Sequence, residues 1–163
     1  MSTIRFTSFP RTQAPPDFLE EIVNVFRGHE GAISTSAREK GLTSDAVLGE
    51  LYADLTAIGF SVEEGKRKSQ KIERPVFYGE NGVPAVRYEI DAYQPDWRCG
   101  LEVEAGRGWM GNEVYRDLIL ASVMVDVDSF VLAVSNAYKY VTGGRNAVSR
   151  DYENAVNLAD TIF

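Results

Sequence analysis

VRYEIDAYQPDWRCGLEVEAGR, residues 86–107, is the stretch around which the rest of the chain is arranged. Two runs within it alternate as β-strands do, residues 86–93 and residues 99–105, and a turn-forming Gln-Pro-Asp lies between them. Side chains of a strand alternate between two faces, so each run places its acidic residues on a single face. If the two runs pair as a hairpin, we expect Asp91, Glu102 and Glu104 to converge.

Two interpretations of this acidic face are open. The first is an ordinary antiparallel hairpin whose polar face is in water. The second is a group of carboxylates that share a cation or a proton, because like charges at short range repel. Alternation alone does not separate them, since any half-buried strand shows it.

Length and composition limit the kind of protein. With 163 residues and 44% hydrophobic content, residues 1–163 are expected to form a single domain with a substantial core. The single cysteine, Cys99, excludes an internal disulfide and agrees with a reducing cytoplasm. No apolar run approaches the length of a membrane span, and the first residues lack a signal-peptide core, so we expect a cytoplasmic protein with no membrane partner. The net charge of −7 argues against a broad nucleic-acid surface but permits a local basic groove.

Periodicity and capping signals predict the other elements. Residues 1–16 read as an irregular N-terminal arm, and the basic run 66–71 reads as a solvated loop or as a contact for a phosphate backbone. The predicted elements are helices after Asp17, over 44–58, 112–124 and 151–162, and strands over 60–63, 72–78 and 130–134. The run 130–134 is almost entirely apolar, which predicts a strand buried on both faces and parallel to 101–105.

This order of elements predicts a mixed α/β (α+β) protein with helices on both faces of a central sheet. Asp91, Glu102 and Glu104 are then not all freely hydrated, and a buried carboxylate needs a partner. Because the hairpin contains no lysine, a hard divalent cation is the partner that we predict.

An acid at the end of one strand, a Glu-x-Glu on the next, and then a helix and an apolar strand resemble the PD-(D/E)XK nuclease superfamily, in particular its type II restriction endonuclease branch. The resemblance implies a restriction-endonuclease-like core, with a mixed sheet of four to five strands and the order α-β-β-β-α-β. It also implies Mg²⁺ (or Mn²⁺) as cofactor, hydrolysis of a nucleic acid, with DNA as the expected partner, and it leaves a homodimer open.

Carried over by position, Asp91 and Glu102 resemble the metal-binding acids, and the carbonyl of Val103 would be a further ligand. Glu104 stands where most of the family has a catalytic lysine, so the resemblance casts it as a general base or as a ligand to a second ion. The charge of the missing lysine would then come from the metal, Arg107 or Lys139. Because of this departure, a catalytically silent nuclease fold that serves as a binding or dimerisation module is the alternative.

A second motif points to another class of protein. Residues 106–111 fit G-x-G-x-x-G between a strand and a helix, and Asp126 and Asp128 lie about twenty residues further on, as in dinucleotide-binding folds. The preceding strand, however, carries Glu102 and Glu104, whose charges would repel a pyrophosphate. We therefore expect these glycines to let the chain leave the strand sharply.

Overall fold

A computed structural model describes residues 2–36, 38–65, 67–106 and 108–163. These residues form a mixed α+β structure. The helices are α1 (Leu19–Gly28), α2 (Glu30–Ile33), α3 (Ser44–Ala57), α4 (Glu113–Ala121) and α5 (Asp151–Ile162). The strands are β1 (Ser61–Val62), β2 (Ile72–Tyr78), β3 (Pro84–Ile90), β4 (Ala92–Gln94), β5 (Cys99–Glu104), β6 (Ser129–Val134), β7 (Tyr138–Thr142) and β8 (Arg145–Ser149).

The central sheet has four strands in the order β1-β4-β5-β6. β4 is antiparallel to both β1 and β5, whereas β6 is parallel to β5, with Cys99 opposite Ser129 and Glu104 opposite Val134. The connection from β5 through α4 to β6 is therefore the parallel crossover that the apolar run predicted. Along the chain, the sheet and its helices follow the order α3-β1-β4-β5-α4-β6, with the β2–β3 hairpin between β1 and β4.

The predicted hairpin between 86–93 and 99–105 is only partly correct. β3 pairs with β2, and only β4 pairs with β5, so the first run is divided at Asp91. The tight turn between β2 and β3, where Asn81 and Gly82 both have positive φ, favours this local pairing. Ile90 is also buried with Val76 and Met124 in a separate cluster, which holds β3 away from β5.

The main core lies between the sheet and helices α1 and α3. Leu101 and Val103 of β5 point into it, together with Leu51 and Leu55 of α3, and all four side chains are buried. The alternation of β5 therefore turns Glu102 and Glu104 to the opposite face, where α4 packs. Ser44 fixes the start of α3 to the end of β5, because its Oγ accepts the N–H of Ala105 at 3.1 Å.

Two features of the chain after α4 differ from expectation. β6 is half-buried at every position rather than fully buried, because it pairs only with β5 over the described residues and forms an edge of the sheet. The β7–β8 hairpin was not predicted, although its Gly143-Gly144 turn, with φ of 55° and 73°, is a strong hairpin signal.

The observed ends of the helices agree in part with the ends predicted from the sequence. α5 covers the predicted range, whereas α4 is shorter than predicted, and α1 begins after Phe18 rather than at an Asp17 cap. Residues 2–16 contain no helix or strand, as expected for an irregular arm. None of the described helices is both long and apolar enough to cross a lipid bilayer.

Candidate metal centre

Three carboxylates meet between β5 and α4. Glu102 and Glu104 project from one face of β5, and Asp117 projects from α4, which packs on that face. One oxygen of each carboxylate lies within 4.8 Å of the others, close enough for a single cation to bind all three. We call Glu102, Glu104 and Asp117 the acidic cluster.

Asp117 is the most buried member of the acidic cluster, with 4% of its surface exposed. Its Oδ1 accepts a hydrogen bond from Nε of Arg116 at 3.0 Å. Its Oδ2 is buried and has no hydrogen-bond partner among the described residues. A buried carboxylate oxygen that faces two other carboxylates needs either a shared proton or a cation.

Burial raises the pKa of each member of the acidic cluster, and the charges of neighbouring carboxylates add to the effect. Burial, followed by the charge of Asp91, raises the pKa of Glu102 to about 8. Burial, followed by the charges of Asp117 and Glu113, raises the pKa of Glu104 to about 7. Burial also raises the pKa of Asp117, although the Arg116 guanidinium opposes this. Near neutral pH the cluster therefore favours protons, and a bound cation would compete with them.

Asp91 lies beside the acidic cluster and is tied to it. Its backbone N–H donates to Oε2 of Glu102, and its own Oδ2 accepts the N–H of Val103, each at 2.8 Å. The β4–β5 ladder ends at Ala92 and Leu101, so this side chain satisfies the next backbone donor of β5. Burial raises the pKa of Asp91 to about 6.

The structure thus brings Asp91 against Glu102, as the sequence predicted, but the group of acids with cation-binding spacing contains Asp117 instead of Asp91. A direct metal bond from Asp91 stays a prediction. Asp117 was not among the candidate ligands predicted from the sequence, although its position on the helix offered a signal. It lies on the buried face of α4 beside Val114 and Leu118, where an acid is unusual.

Glu113 is a second acid that the sequence did not assign to the site. It precedes Asp117 by one helical turn, and its charge raises the pKa of both Glu104 and Asp117. Its Oε2 is buried without a hydrogen-bond partner among the described residues. The site is therefore more acidic than Asp91, Glu102 and Glu104 alone suggested.

The sequence offered Lys139 and Arg107 as basic residues that could replace the family lysine. Lys139 donates to the carbonyl oxygens of Thr35, Ser36 and Arg38 at 3.2, 3.1 and 2.8 Å, so its ammonium holds a loop. Arg107 lies outside the described residues. Among the residues that the structure describes, Arg116 is the basic side chain beside the acidic cluster, with its Nη2 4.0 Å from Oε1 of Glu104.

The residues of the basic run 66–71 do not share one environment. Lys71 binds Glu63 at 2.7 Å and lies 3.4 Å from a carboxylate oxygen of Glu89. Arg67 and Lys68 are exposed, and Lys66 lies outside the described residues. Lys71 therefore has acidic partners within the fold, whereas Arg67 and Lys68 agree with a solvated loop.

The glycine-rich loop packs on an acid. A Cβ on Gly108 would lie 3.0 Å from Cβ of Glu104, so glycine at this position lets the loop approach the acidic cluster closely. A pyrophosphate at the start of α4 would meet the charges of Glu104 and Glu113. This arrangement agrees with the sequence argument against a dinucleotide site.

Comparisons of the chain with protein-family models, with curated proteins and with solved structures gave no match.

Proposed function

We propose that this protein is a metal-dependent phosphodiesterase that hydrolyses nucleic acid, with Mg²⁺ bound by Glu102 and Asp117 and with Glu104 beside them as the general base. The observation that carries the proposal is the convergence of three buried or half-buried carboxylates, with one oxygen of each within 4.8 Å of the others.

The chemistry of the donors fits Mg²⁺ or Mn²⁺. All three side chains offer carboxylate oxygens, which hard divalent cations prefer, and the cluster contains neither histidine nor cysteine, which zinc favours. Bound at this point, Mg²⁺ would compensate negative charge on the scissile phosphate.

The arrangement of elements supports the resemblance to PD-(D/E)XK nucleases. When the β2–β3 hairpin is left out, the central sheet and its helices follow the order α3-β1-β4-β5-α4-β6, which agrees with the α-β-β-β-α-β order that the resemblance implies, with the Glu-x-Glu on the third strand. Asp91 directly follows β3, as the resemblance proposes for the first acid, but β3 pairs with β2, and β4, which begins after Asp91, is the strand that pairs with the Glu-x-Glu strand.

Each residue has a role in this proposal. Glu104, whose pKa is raised to about 7, acts as the general base that takes a proton from the attacking water. Arg116 has 58% of its side chain exposed beside Glu104, and its guanidinium binds the phosphate. Asp91 orients Glu102 through its backbone N–H, and a direct metal bond from its carboxylate is part of the same proposal.

The test is cleavage of plasmid DNA and of RNA by the purified protein with Mg²⁺ or Mn²⁺, comparing the wild type with Glu102→Gln and Asp117→Asn. We expect both variants to lose cleavage and metal binding. Glu21→Gln on the exposed face of α1 is the matched control and is expected to cleave normally. Cleavage that persists in both cluster variants, or that survives EDTA, contradicts the proposal.

One observation favours the alternative, a silent nuclease fold that binds a partner. Glu104 replaces the family lysine, and both Lys71 and Lys139 have other partners. Under this alternative the protein binds Mn²⁺ through the acidic cluster but cuts neither DNA nor RNA, so measuring metal binding and cleavage together separates the two functions.

A further inference from the structure

The two edges of the central sheet differ in length. Over the described residues, β1 forms one edge with only two residues, whereas β6 forms the other with six. A long edge strand presents a row of backbone N–H and C=O groups to any extended chain, and charged residues or proline usually prevent such pairing. The sequence of β6, SFVLAV, contains neither. Within the described part of the chain, β6 is therefore the edge that is open to pairing.

The register of the sheet shows which backbone groups of β6 point outward. The N–H of Ser129 donates to the carbonyl of Arg98 at 3.3 Å, so Ser129 turns toward β5, and in the parallel ladder every second residue after it does the same. The residues between them turn their N–H and C=O groups away from β5, roughly 6.6 Å apart along the strand. These residues are Phe130, Leu132 and Val134. No backbone group outside β5 bonds to them among the described residues.

A groove of about 830 Å³ follows this edge, and we call it the edge groove. Residues 127–137 line one side of it, and residues 3–10 and 13–16 of the N-terminal arm line the other. Both faces of β6 contribute to it, because Val131 packs with the main core whereas Leu132 packs with Leu118 and Ala159. A cavity lined from both faces of an edge strand lies along the edge itself, in front of the outward backbone groups.

The N-terminal arm lies opposite β6 without pairing with it. Nε of Arg5 donates to Oδ1 of Asn136 at 3.1 Å, and Nδ2 of Asn136 donates to the carbonyl of Thr3 at 3.2 Å. The hydroxyls of Thr7 and Tyr152 are 2.7 Å apart. Asn136 and Tyr152 both follow the end of β6, and the described part of the arm has no backbone hydrogen bond to β6. The arm is therefore anchored beyond the strand and leaves the edge groove between itself and β6.

The helices on the two sides of the sheet make the edge groove apolar. Ile22 and Phe26 of α1 line it on one face, and Leu118 of α4 and Ala159 of α5 line it on the other. A strand that is covered by apolar side chains on both faces is typically a continuous apolar run, as β6 is. An added strand in the edge groove would meet the same surroundings.

The edge groove offers no free charge among its described lining residues. Asp128 is their single acid, and Arg98 binds it at 2.6 Å. The two basic side chains are Arg5, which Asn136 holds, and Lys139, which donates to three backbone carbonyls. A charged occupant would lose its hydration without gaining a partner, so the edge groove favours an uncharged one.

We infer that the edge groove binds an extended, uncharged segment of a partner protein, which adds to β6 as a fifth strand and has apolar side chains on both faces. Hydrogen bonds to the outward backbone groups of β6 hold the segment, and the helices on the two faces select its side chains. The inference goes beyond the proposed function and does not depend on metal binding by the acidic cluster.

The probe is a synthetic peptide with the sequence of residues 129–134, because this run already forms a strand with apolar contacts on both faces. It carries a fluorophore and a lysine tail for solubility, and its binding to the full chain is measured by fluorescence anisotropy. The matched control is the same peptide with its backbone nitrogens methylated, which keeps every side chain but removes the hydrogen-bond donors. We expect methylation to weaken binding about tenfold or more, because several backbone bonds are lost together.

Amide hydrogen exchange locates the bound peptide. In the free protein, the outward amides of Phe130, Leu132 and Val134 are expected to exchange faster than those of Val131 and Ala133, which bond to β5. When the peptide is added to saturation, exchange at the three outward amides should slow about tenfold or more, because each amide gains a partner or is covered.

Three results would overturn the inference: no binding of the unmethylated peptide, equal binding of the methylated control, or unchanged exchange at the outward amides of β6. Slow exchange of these amides in the free protein would also overturn it. If that protection is lost on dilution, a second copy of the chain occupies the edge, and if it persists, the N-terminal arm does.

Discussion

Asp91 and Glu102 are joined by a hydrogen bond from the backbone N–H of Asp91 to Oε2 of Glu102, 2.8 Å long. The Asp91 carboxylate turns back to accept the N–H of Val103, also at 2.8 Å. The two acids therefore stay close although their charges repel, because each receives a backbone donor. This pair lies where the first run of the central stretch changes sheets.

The bond from Val103 to Asp91 predicts how the fold responds to substitution of Asp91. Asp91→Ala leaves the N–H of Val103 without its acceptor and is expected to lower the free energy of unfolding by about 1–3 kcal/mol. Asp91→Asn keeps an acceptor oxygen and is expected to lose less than about 1 kcal/mol. The measurement is urea unfolding at pH 5. The pKa of Asp91 is raised to about 6, so its carboxyl group is mostly protonated at pH 5, and replacing it removes little charge from the folded protein. Equal stabilities of the two variants would contradict the role of this bond.

The raised pKa values predict that the metal-free protein loses stability as pH rises. Glu102 binds a proton more readily in the folded state than in the unfolded state. Its contribution to the free energy of unfolding is therefore complete below pH about 4.5 and is lost as the pH rises through about 8. We expect Glu102→Gln to be more stable than wild type at pH 8, by on the order of 2 kcal/mol, and to differ much less at pH 4.5. Urea titrations in EDTA at pH 4.5 and pH 8 give the direction of the stability change. A wild-type protein that is more stable at pH 8 than at pH 4.5 would contradict the prediction.

Metal binding is expected to reverse that loss. A cation in the acidic cluster stabilises the folded state by about 2.7 kcal/mol when its concentration is one hundred times Kd. Thermal unfolding of wild type at pH 7.5 should therefore shift to higher temperature as Mn²⁺ is added, whereas Asp117→Asn should shift little. Glu21→Gln, which has the same change of charge far from the cluster, is expected to respond as wild type does.

Glu104 sets the pH dependence of cleavage. Burial raises the pKa of Glu104 to about 7 in the metal-free protein, and a neighbouring cation lowers that pKa, so the rate should rise with pH below neutrality and level off above it. Glu104→Gln is expected to reduce the rate by about 10²–10⁴-fold. Initial rates at saturating Mn²⁺ give both quantities, and a pH-independent rate would remove Glu104 from the role of general base.

The contact between Gly108 and Glu104 predicts a sensitive position in the glycine-rich loop. Gly108→Ala adds a carbon 3.0 Å from Cβ of Glu104, so the loop or the acid has to move. We expect the affinity for Mn²⁺, measured by calorimetry, to fall about tenfold, which corresponds to about 1.4 kcal/mol of binding free energy. Gly106→Ala is the matched control, because a Cβ there meets nothing within 4 Å. Similar losses in both variants would mean that the loop, rather than its contact with Glu104, is responsible.

The spacing of residues along the chain was enough to predict the features that depend on neighbours close in sequence. The alternation of residues 99–105 predicted that Glu102 and Glu104 share a face, and the apolar run at 130–134 predicted the parallel strand beside them. Strand and helix periods are set by backbone geometry, so they can be read from a single sequence. Asn81-Gly82 is a local signal of the same kind, because positive φ limits the residues that can form such a turn.

Packing between distant segments accounts for the rest. Burial of Ile90 with Val76 and Met124 took β3 out of the expected hairpin, and the packing of α4 on β5 brought Asp117 to Glu102 and Glu104. The N-terminal arm came to lie beside β6 in the same way, through Arg5, Thr3 and Asn136. These contacts join residues far apart in the chain, and their stability comes from buried area and shape, which no local period encodes.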